Sequence, residues 1–407
     1  MKKVLVILSF LALFVSGCKK DTDPVPDKDK FALPVWQWSS GLNMDFNSAP
    51  IPAIDDADNS YFFISFKPSQ NLTLFAIGKD GATRWQVKDV FGNSTSRSPS
   101  VILNSGNLYF YAGRTIYCYK AENGSKQWSY EVSDVGVSIQ NLIVKDGEVW
   151  FTHTASGKIM LVKLDSGGNK KWDISFDAYS FNLGMAAFGE KLFLLNKALF
   201  DNRCDVLAVS LQDGYGIWKA SPPAQSAGAD LSIDNNGDLY FSTFERELIA
   251  LSGADGSLRW QYTPAEALKN SNYYSQGGIV ILENNDIVFA EDDLICFDSK
   301  GLEKWRSSVN SWMSFTLGNN NILYGWGATA DVKLFAVDAS NGEKLSIKFS
   351  TLDPDMQASA FPPALTHEGN IIMAGVTKIH CITSMSESLE ENGWAKPGRG
   401  YDNNPVR

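Results

Sequence analysis

The chain has 407 residues, 44% of them hydrophobic and 20% charged, which excludes a disordered segment and fits one large domain or two ordinary ones. Its formal charge of −10 argues against nucleic acid as a partner, because phosphate binding needs a basic face. The three histidines (His153, His367, His380) are scattered, which argues against a His-rich metal site, whereas 12 Trp point to a repeated Trp position.

Lys2 and Lys3 precede an apolar run, Val4 to Val15, that is short for a bilayer span. It ends in Val15-Ser16-Gly17-Cys18, the pattern of a bacterial lipobox, with Cys18 as the lipid acceptor. The alternative is an ordinary secretory leader with a chance cysteine. Residues 1–18 are thus expected to be a lipoprotein signal peptide. Residues 19–30, polar and Pro-containing, read as a flexible tether. Several acyl chains on Cys18 would anchor the protein firmly, since one chain alone binds marginally.

From there the chain repeats. Asp or Asn and Gly are followed by Trp four residues after the Gly in Asp80-Gly81…Trp85, Asn123-Gly124…Trp128, Asp213-Gly214…Trp218 and Asp255-Gly256…Trp260. Gly168…Trp172 and Gly301…Trp305 keep the Gly–Trp spacing. A degenerate copy, Asn341-Gly342…Leu345, has lost the aromatic and is read as slipped by one. Successive Trp lie 42 to 46 residues apart, the length of a four-stranded propeller blade. A short strand precedes each unit. Its first column is Leu74, Ile116, Leu161, Val206, Leu248, Leu294, Leu334 and Ile379; its third is Ala76, Cys118, Lys163, Ala208, Ala250, Cys296, Ala336 and Cys381. The two columns share one face of the strand, so a large and a small side chain meet the neighbouring blade, and Lys163 breaks the small column. Further upstream, Ser105-Gly106, Asp146-Gly147 and Asn236-Gly237 launch strands through tight hairpin turns.

Full units cover about 50–88, 98–133, 139–176, 182–220, 229–263, 277–308 and 313–350. The last, about 357–385, has no Trp strand, while Pro34-Val35-Trp36-Gln37-Trp38 is a Trp strand with nothing before it. Joining them predicts an all-β, eight-bladed propeller of four-stranded antiparallel blades over 31–385, closed by the N-terminal strand, with Trp38 as the eighth repeat Trp and 386–407 as a tail. In that tail Trp394 is expected either to dock on the closing blade or to fray with its segment.

These units resemble the PQQ-type propeller repeat family, which includes the propeller lipoprotein of the outer-membrane β-barrel assembly machinery. The resemblance implies that each Trp docks between blades with its indole N–H satisfied by backbone. It also implies a lipid-anchored scaffold at the outer membrane that binds another envelope protein, as a monomeric propeller. The fold hosts enzymes as well, so its function must be sought in its sites. The family's quinone dehydrogenases carry an adjacent Cys-Cys pair and a Glu, Asn and Asp set around calcium. No Cys-Cys occurs here and the calcium set does not map onto this chain, so PQQ is not expected and a degenerate dehydrogenase is only an alternative.

Cys118, Cys296 and Cys381 stand where other blades have Ala and read as buried small residues; Cys204, in Asp201-Asn202-Arg203-Cys204-Asp205, reads as a partly exposed loop thiol. The acidic clusters Asp55-Asp56-Ala57-Asp58-Asn59, Asp234-Asn235-Asn236-Gly237-Asp238 and Glu291-Asp292-Asp293 lack the spacing of a calcium loop and read as turns and blade-edge acids. Tyr273 and Tyr274 after a long polar loop, with Trp312 and Trp326 in the blade that lost its Trp, are the candidate contacts for a partner, or in the alternative reading for a glycan or small ligand. Trp312 or Trp326 is equally expected to fill the gap at Leu345. No catalytic constellation and no metal set emerges.

Overall fold

The computed structural model describes residues 31–40, 52–65, 72–91, 100–134, 136–177, 179–198, 203–223, 227–265, 278–290, 293–309, 315–327, 333–349, 363–375, 377–390 and 406. Strand β1 (Pro34–Trp38) comes first and belongs to the last blade. Blade 1 holds β2 (Ala53–Ile54), β3 (Ser60–Ser65), β4 (Leu72–Ile77) and β5 (Thr83–Val87). Blade 2 holds β6 (Ile102–Asn104), β7 (Asn107–Ala112), β8 (Thr115–Lys120) and β9 (Lys126–Glu131). Blade 3 holds β10 (Ile139–Lys145), β11 (Glu148–Ala155), β12 (Lys158–Leu164) and β13 (Lys170–Asp177). Blade 4 holds β14 (Tyr179–Phe188), β15 (Lys191–Ala198), β16 (Cys204–Ser210) and β17 (Gly216–Ala220). Blade 5 holds β18 (Ala227–Ile233), β19 (Leu239–Thr243), β20 (Leu248–Leu251) and β21 (Leu258–Tyr262). Blade 6 holds β22 (Ile279–Ile281), β23 (Ile287–Ala290), β24 (Leu294–Phe297) and β25 (Glu303–Ser307). Blade 7 holds β26 (Phe315–Leu317), β27 (Ile322–Gly327), β28 (Lys333–Asp338) and β29 (Lys344–Phe349). Blade 8 holds β30 (Ala364–Leu365), β31 (Asn370–Ala374) and β32 (Ile379–Thr383).

Seven blades pair their strands in chain order, and the eighth runs β1-β32-β31-β30, all antiparallel. This is an eight-bladed β-propeller. First strands of successive blades contact one another from β2 through β6, β10, β14, β18 and β22 to β26, so they form the inner ring. Third strands are buried on both faces (β20 and β24 throughout), because each sheet is sandwiched between two others. Fourth strands alternate exposed and half-buried positions, as an outer strand with one covered face must. Among the described residues apolar clusters run around the ring, and the one containing Trp38, Phe62, Phe75, Ile372 and Ile379 joins the last blade to the first.

The repeat Trp holds blade to blade. Trp85, Trp128, Trp172, Trp260 and Trp305 donate their indole N–H to the carbonyls of Ala121, Ser166, Gln212, Ser299 and Ala339 in the next blade, at 2.9 to 3.0 Å. Trp218 does the same to Gly253 at 3.4 Å. Each indole lies against a turn glycine of that next blade. A Cβ on Gly168 would sit 2.6 Å from Trp128, and φ there is +81°, so glycine serves both the turn and the indole. Truncating one such Trp to Ala would cost roughly 3–5 kcal/mol.

Register corrects two expectations. Every repeat Trp stands opposite the third, small column: Ala76↔Trp85, Cys118↔Trp128, Ala250↔Trp260. In blade 8 the residue opposite Cys381 is Trp36, and Trp36 covers Gly81 of blade 1. Trp36, not Trp38, is therefore the eighth repeat Trp. Trp38 stands opposite Ile379, where blade 1 has Val87, and it is buried against Phe75 with its N–H on Thr83 Oγ1 at 2.9 Å. In blade 7 the residue opposite Ala336 is Ser346, and Leu345 is the bulged residue before it, so the spacing has not slipped. The loss of that Trp has a physical reason. A repeat Trp rests on the turn between the third and fourth strands of the next blade, and blade 8 has no such turn because its fourth strand comes from the N-terminus. Residues 384–390 lie there instead. Tyr324 donates to or accepts from Ser386 Oγ at 2.8 Å, Asn319 N–H donates to Ser388 O at 3.0 Å, and Leu389 bridges Gly318.

The seam carries a further clasp. Asp58, 3% exposed, accepts from the backbone N–H of His367 at 2.7 Å and of Glu368 at 3.0 Å, and meets His367 Nδ1 at 2.9 Å. Lys79 pairs with Glu368 at 2.7 Å just outside it. Lys163 also finds a partner: its ammonium meets Glu148 at 2.7 Å and lies 4.6 Å from the centroid of Trp150.

Candidate functional site

Antiparallel order puts the first-to-second and third-to-fourth turns at one end of the ring, and the second-to-third turns and blade-to-blade connections at the other. Three surfaces result: a turn end, a connection end and an outer rim.

The connection end receives the segments between β21 and β22, with Tyr273 and Tyr274, and between β25 and β26, with Trp312. Tyr273, Tyr274 and Trp312 themselves lie outside the described residues, as do Cys18, Trp394, Glu291 and Asp292. Trp326 lies near the same end of β27 with its Cα opposite Leu334.

The outer rim is uneven. In the three positions after the turn glycine, blades 1 to 3 carry Ala82-Thr83-Arg84, Ser125-Lys126-Gln127 and Asn169-Lys170-Lys171, a polar edge apart from Ala82. Blades 4 to 6 carry Tyr215 (72% exposed), Ile217 (48%), Leu258 (46%) and Leu302 (65%). These four are the large apolar side chains exposed on three consecutive outer edges, and sequence reasoning missed them. The signal was present in part, as apolar residues within three positions of the turn glycine where blades 1 to 3 have Ala82 or polar residues; the outer strand of blade 8 shows a similar exposure at Val35, with Leu33 just before it.

The turn end is closed at several junctions by bonds between neighbouring turns. Asn104 Oδ1 accepts from Gly147 N–H at 3.1 Å, Lys145 Nζ donates to Gly189 O at 2.7 Å, and Asn235 Nδ2 donates to Glu283 O at 2.9 Å. Between blades 1 and 2 the turns instead form the walls of a cleft of about 1120 Å³. One wall is the 55–59 turn with Arg84 and His367; the other is the 104–107 turn with Lys120 and Glu122; Tyr61 and Trp85 lie between. Asp55 shapes the first wall, accepting from the N–H of Ala57 and Asn59, from Asn59 Nδ2 and from the Tyr61 hydroxyl at 2.7 to 3.0 Å.

The 55–59 and 234–238 acidic clusters sit in such first-to-second turns. Asp234 accepts from the N–H of Asn236 and Asp238 and from Tyr240, and burial raises its pKa despite those bonds. Asp293 lies 4.0 Å from Arg306. Among the described residues no group of three or more His, Cys, Asp and Glu is arranged to hold a metal ion. The cysteines are buried: burial pushes the Cys118 thiol up to about 11 and those of Cys296 and Cys381 up to about 12. Cys204 corrects the expectation of an exposed loop thiol. It opens β16 opposite Lys197 and is fully buried, because blade 4 extends its second and third strands beyond the usual length.

Comparisons with known proteins match this geometry. A family profile described as outer membrane protein assembly factor BamB matches residues 37–193, 69–244 and 202–354 in overlapping registers. Among curated sequences none matches. Three solved structures are similar in fold. BamB from Moraxella catarrhalis is 14% identical over 74% of this chain and 82% of its own, with a TM-score of 0.48. A europium-containing methanol dehydrogenase is 12% identical over 84% of each chain, with a TM-score of 0.61. The computationally designed Ika8 protein is 11% identical over 86% of this chain and 99% of its own, with a TM-score of 0.59. The likenesses to the dehydrogenase and to Ika8 show the propeller alone, while the profile, spanning most of the ring, shows that the chain belongs to the PQQ-repeat family of the outer membrane protein assembly factor BamB.

Proposed function

We propose that the protein is a non-catalytic propeller scaffold of the cell envelope, tethered to the outer membrane through Cys18, that binds another envelope protein along the rim of blades 4 to 6. The observation that carries this reading is the run of Tyr215, Ile217, Leu258 and Leu302 on three consecutive outer edges, whereas the described outer strands of blades 1 to 3 expose no large apolar side chain. Apolar side chains clustered on a surface favour a protein contact, and outer strands leave main-chain groups open to an added strand. Membership of an envelope assembly-factor family supports the same reading. Two measurements test it. Affinity capture from detergent-solubilised envelope should recover one stoichiometric envelope protein with the wild-type chain and lose it with Ile217→Asp or Leu302→Asp. Capture that survives both changes refutes the rim, and a chain that recovers no envelope protein refutes the scaffold.

The dehydrogenase reading shares its fold with the methanol dehydrogenase and keeps a separate test. With PQQ and Ca²⁺ we expect neither dye reduction nor a change in melting temperature.

A further inference from the structure

From the cleft between blades 1 and 2 we infer a second binding site, for a neutral oligosaccharide. It is distinct from the rim and does not depend on it. The walls restrict the ligand by chemistry. Asp56, Asp55 and Glu122 line the cleft, and a phosphate or polyanion would meet these carboxylates. Arg84 and Lys120 line it too, and a cation would meet these. A lipid or aromatic ligand would strip water from all five charged groups without replacing the lost hydrogen bonds. A polyol avoids each penalty, because every hydroxyl both donates and accepts. From the protein side Asn59 Oδ1, Asn104 Nδ2 and Asn107 Oδ1 offer acceptors and a donor to such hydroxyls, the other half of each amide being bonded to Asp55, to the Gly147 N–H and to the Ser105 carbonyl. Trp85, half-buried with its ring 5.9 Å from that of the buried Tyr61, gives the cleft an aromatic edge for the C–H face of a sugar ring.

The cleft is less suited to a peptide. Main-chain recognition needs unspent backbone groups, and those of the walls are used within the turns. Asp55 N–H bonds Asn59 O at 3.0 Å, Asp58 N–H bonds Asp55 O at 2.8 Å, and Ala121 N–H bonds Gly106 O at 3.0 Å. The Ala121 carbonyl accepts from Trp85. Recognition therefore falls to side chains. The site is also built in advance: Asp55 holds its own turn, and Asp58 fixes His367 at the cleft edge. A preformed site loses little ordering entropy on binding.

Isothermal titration calorimetry of the full soluble chain against neutral malto-, cello- and xylo-oligosaccharides tests the inference. At least one should bind the wild type. Asn107→Ala and Glu122→Ala, both at the cleft wall, should each weaken it about ten-fold or more, with melting temperatures unchanged. Ile217→Asp on the rim should leave sugar affinity intact, which separates this outcome from failure of the scaffold reading. Three results overturn the proposal: no oligosaccharide of the panel binds, affinity is unmoved by both cleft variants, or a short zwitterionic peptide binds there in place of the sugars.

Discussion

Asp58 offers a stringent test of ring closure. It is buried in blade 1, yet all three of its cross-seam bonds go to His367 and Glu368 in blade 8. In Asp58→Ala those donors lose a carboxylate, and two are backbone N–H groups. Charge-assisted bonds contribute about 1.5–3 kcal/mol each and act non-additively when shared, so a net loss of about 3 kcal/mol is expected. For a ring of this size unfolding as a unit, the usual per-residue unfolding entropy turns that into roughly 4 °C of melting temperature. His367→Ala removes one of the three bonds and should cost about 1 kcal/mol, with the pair coupled in a double-mutant cycle. Circular dichroism melts read both. The pH dependence is a second check. Burial pushes the Asp58 pKa up, but hydrogen bonds from the His367 side chain and backbone and from Glu368 outweigh it, leaving the group below the ordinary carboxylate range. Its contribution is therefore complete above that range and is lost as pH falls through the lowered pKa. A variant that melts with the wild type at neutral pH would show that the clasp does not bear on closure.

Lys163 and Glu148 should respond unequally. Glu148→Ala strands an ammonium whose side chain is only 11% exposed and should cost about 2 kcal/mol, whereas Lys163→Ala restores the small column and should cost less than about 1 kcal/mol, as read by urea unfolding. Equal losses would contradict the structure. Burial lowers the His153 pKa, with Asp134 and Asp173 opposing it. The folded chain thus binds fewer protons than the unfolded one, and stability should decline as pH falls below about 6.5; His153→Phe should flatten that decline, and an unchanged slope would refute it. Thiol titration at pH 8 should label none of Cys118, Cys204, Cys296 and Cys381 until the chain is unfolded, since all four are buried. Rapid labelling of Cys204 would mean that blade 4 opens there.

The blade count, the ring and its seam were legible from spacing, because Gly and Trp recur for reasons that are local and fixed: a left-handed turn and a flat ring lying on it. The eighth Trp was misread because Trp36 and Trp38 are two residues apart on one face of a strand, and only the partner strand distinguishes them. Ser346 was misread as a slip because the cause lies at the opposite terminus, in a turn that blade 8 does not make. The partner of Lys163 was hidden for a similar reason, since Glu148 lies two strands' length earlier and meets it only in the folded register. Turns were recognisable as turns, but nothing local told that two of them would stand apart as a cleft while others bonded to their neighbours. The apolar rim lay in the short stretch after each turn glycine, but sequence alone did not show which of its apolar residues stay exposed, as Leu345 is partly covered while Leu302 is not.

Strand β1 hydrogen-bonds to β32 alone, so the first strand of the ring to be synthesised finds its mate only when nearly all of the ring has followed. Until then Trp36 and Trp38 are solvent-facing and the leading edge is sticky. Local blades can form early, but the last step joins the most distant residues of the domain, which is the slow kind of contact. Final locking should therefore be a late kinetic event.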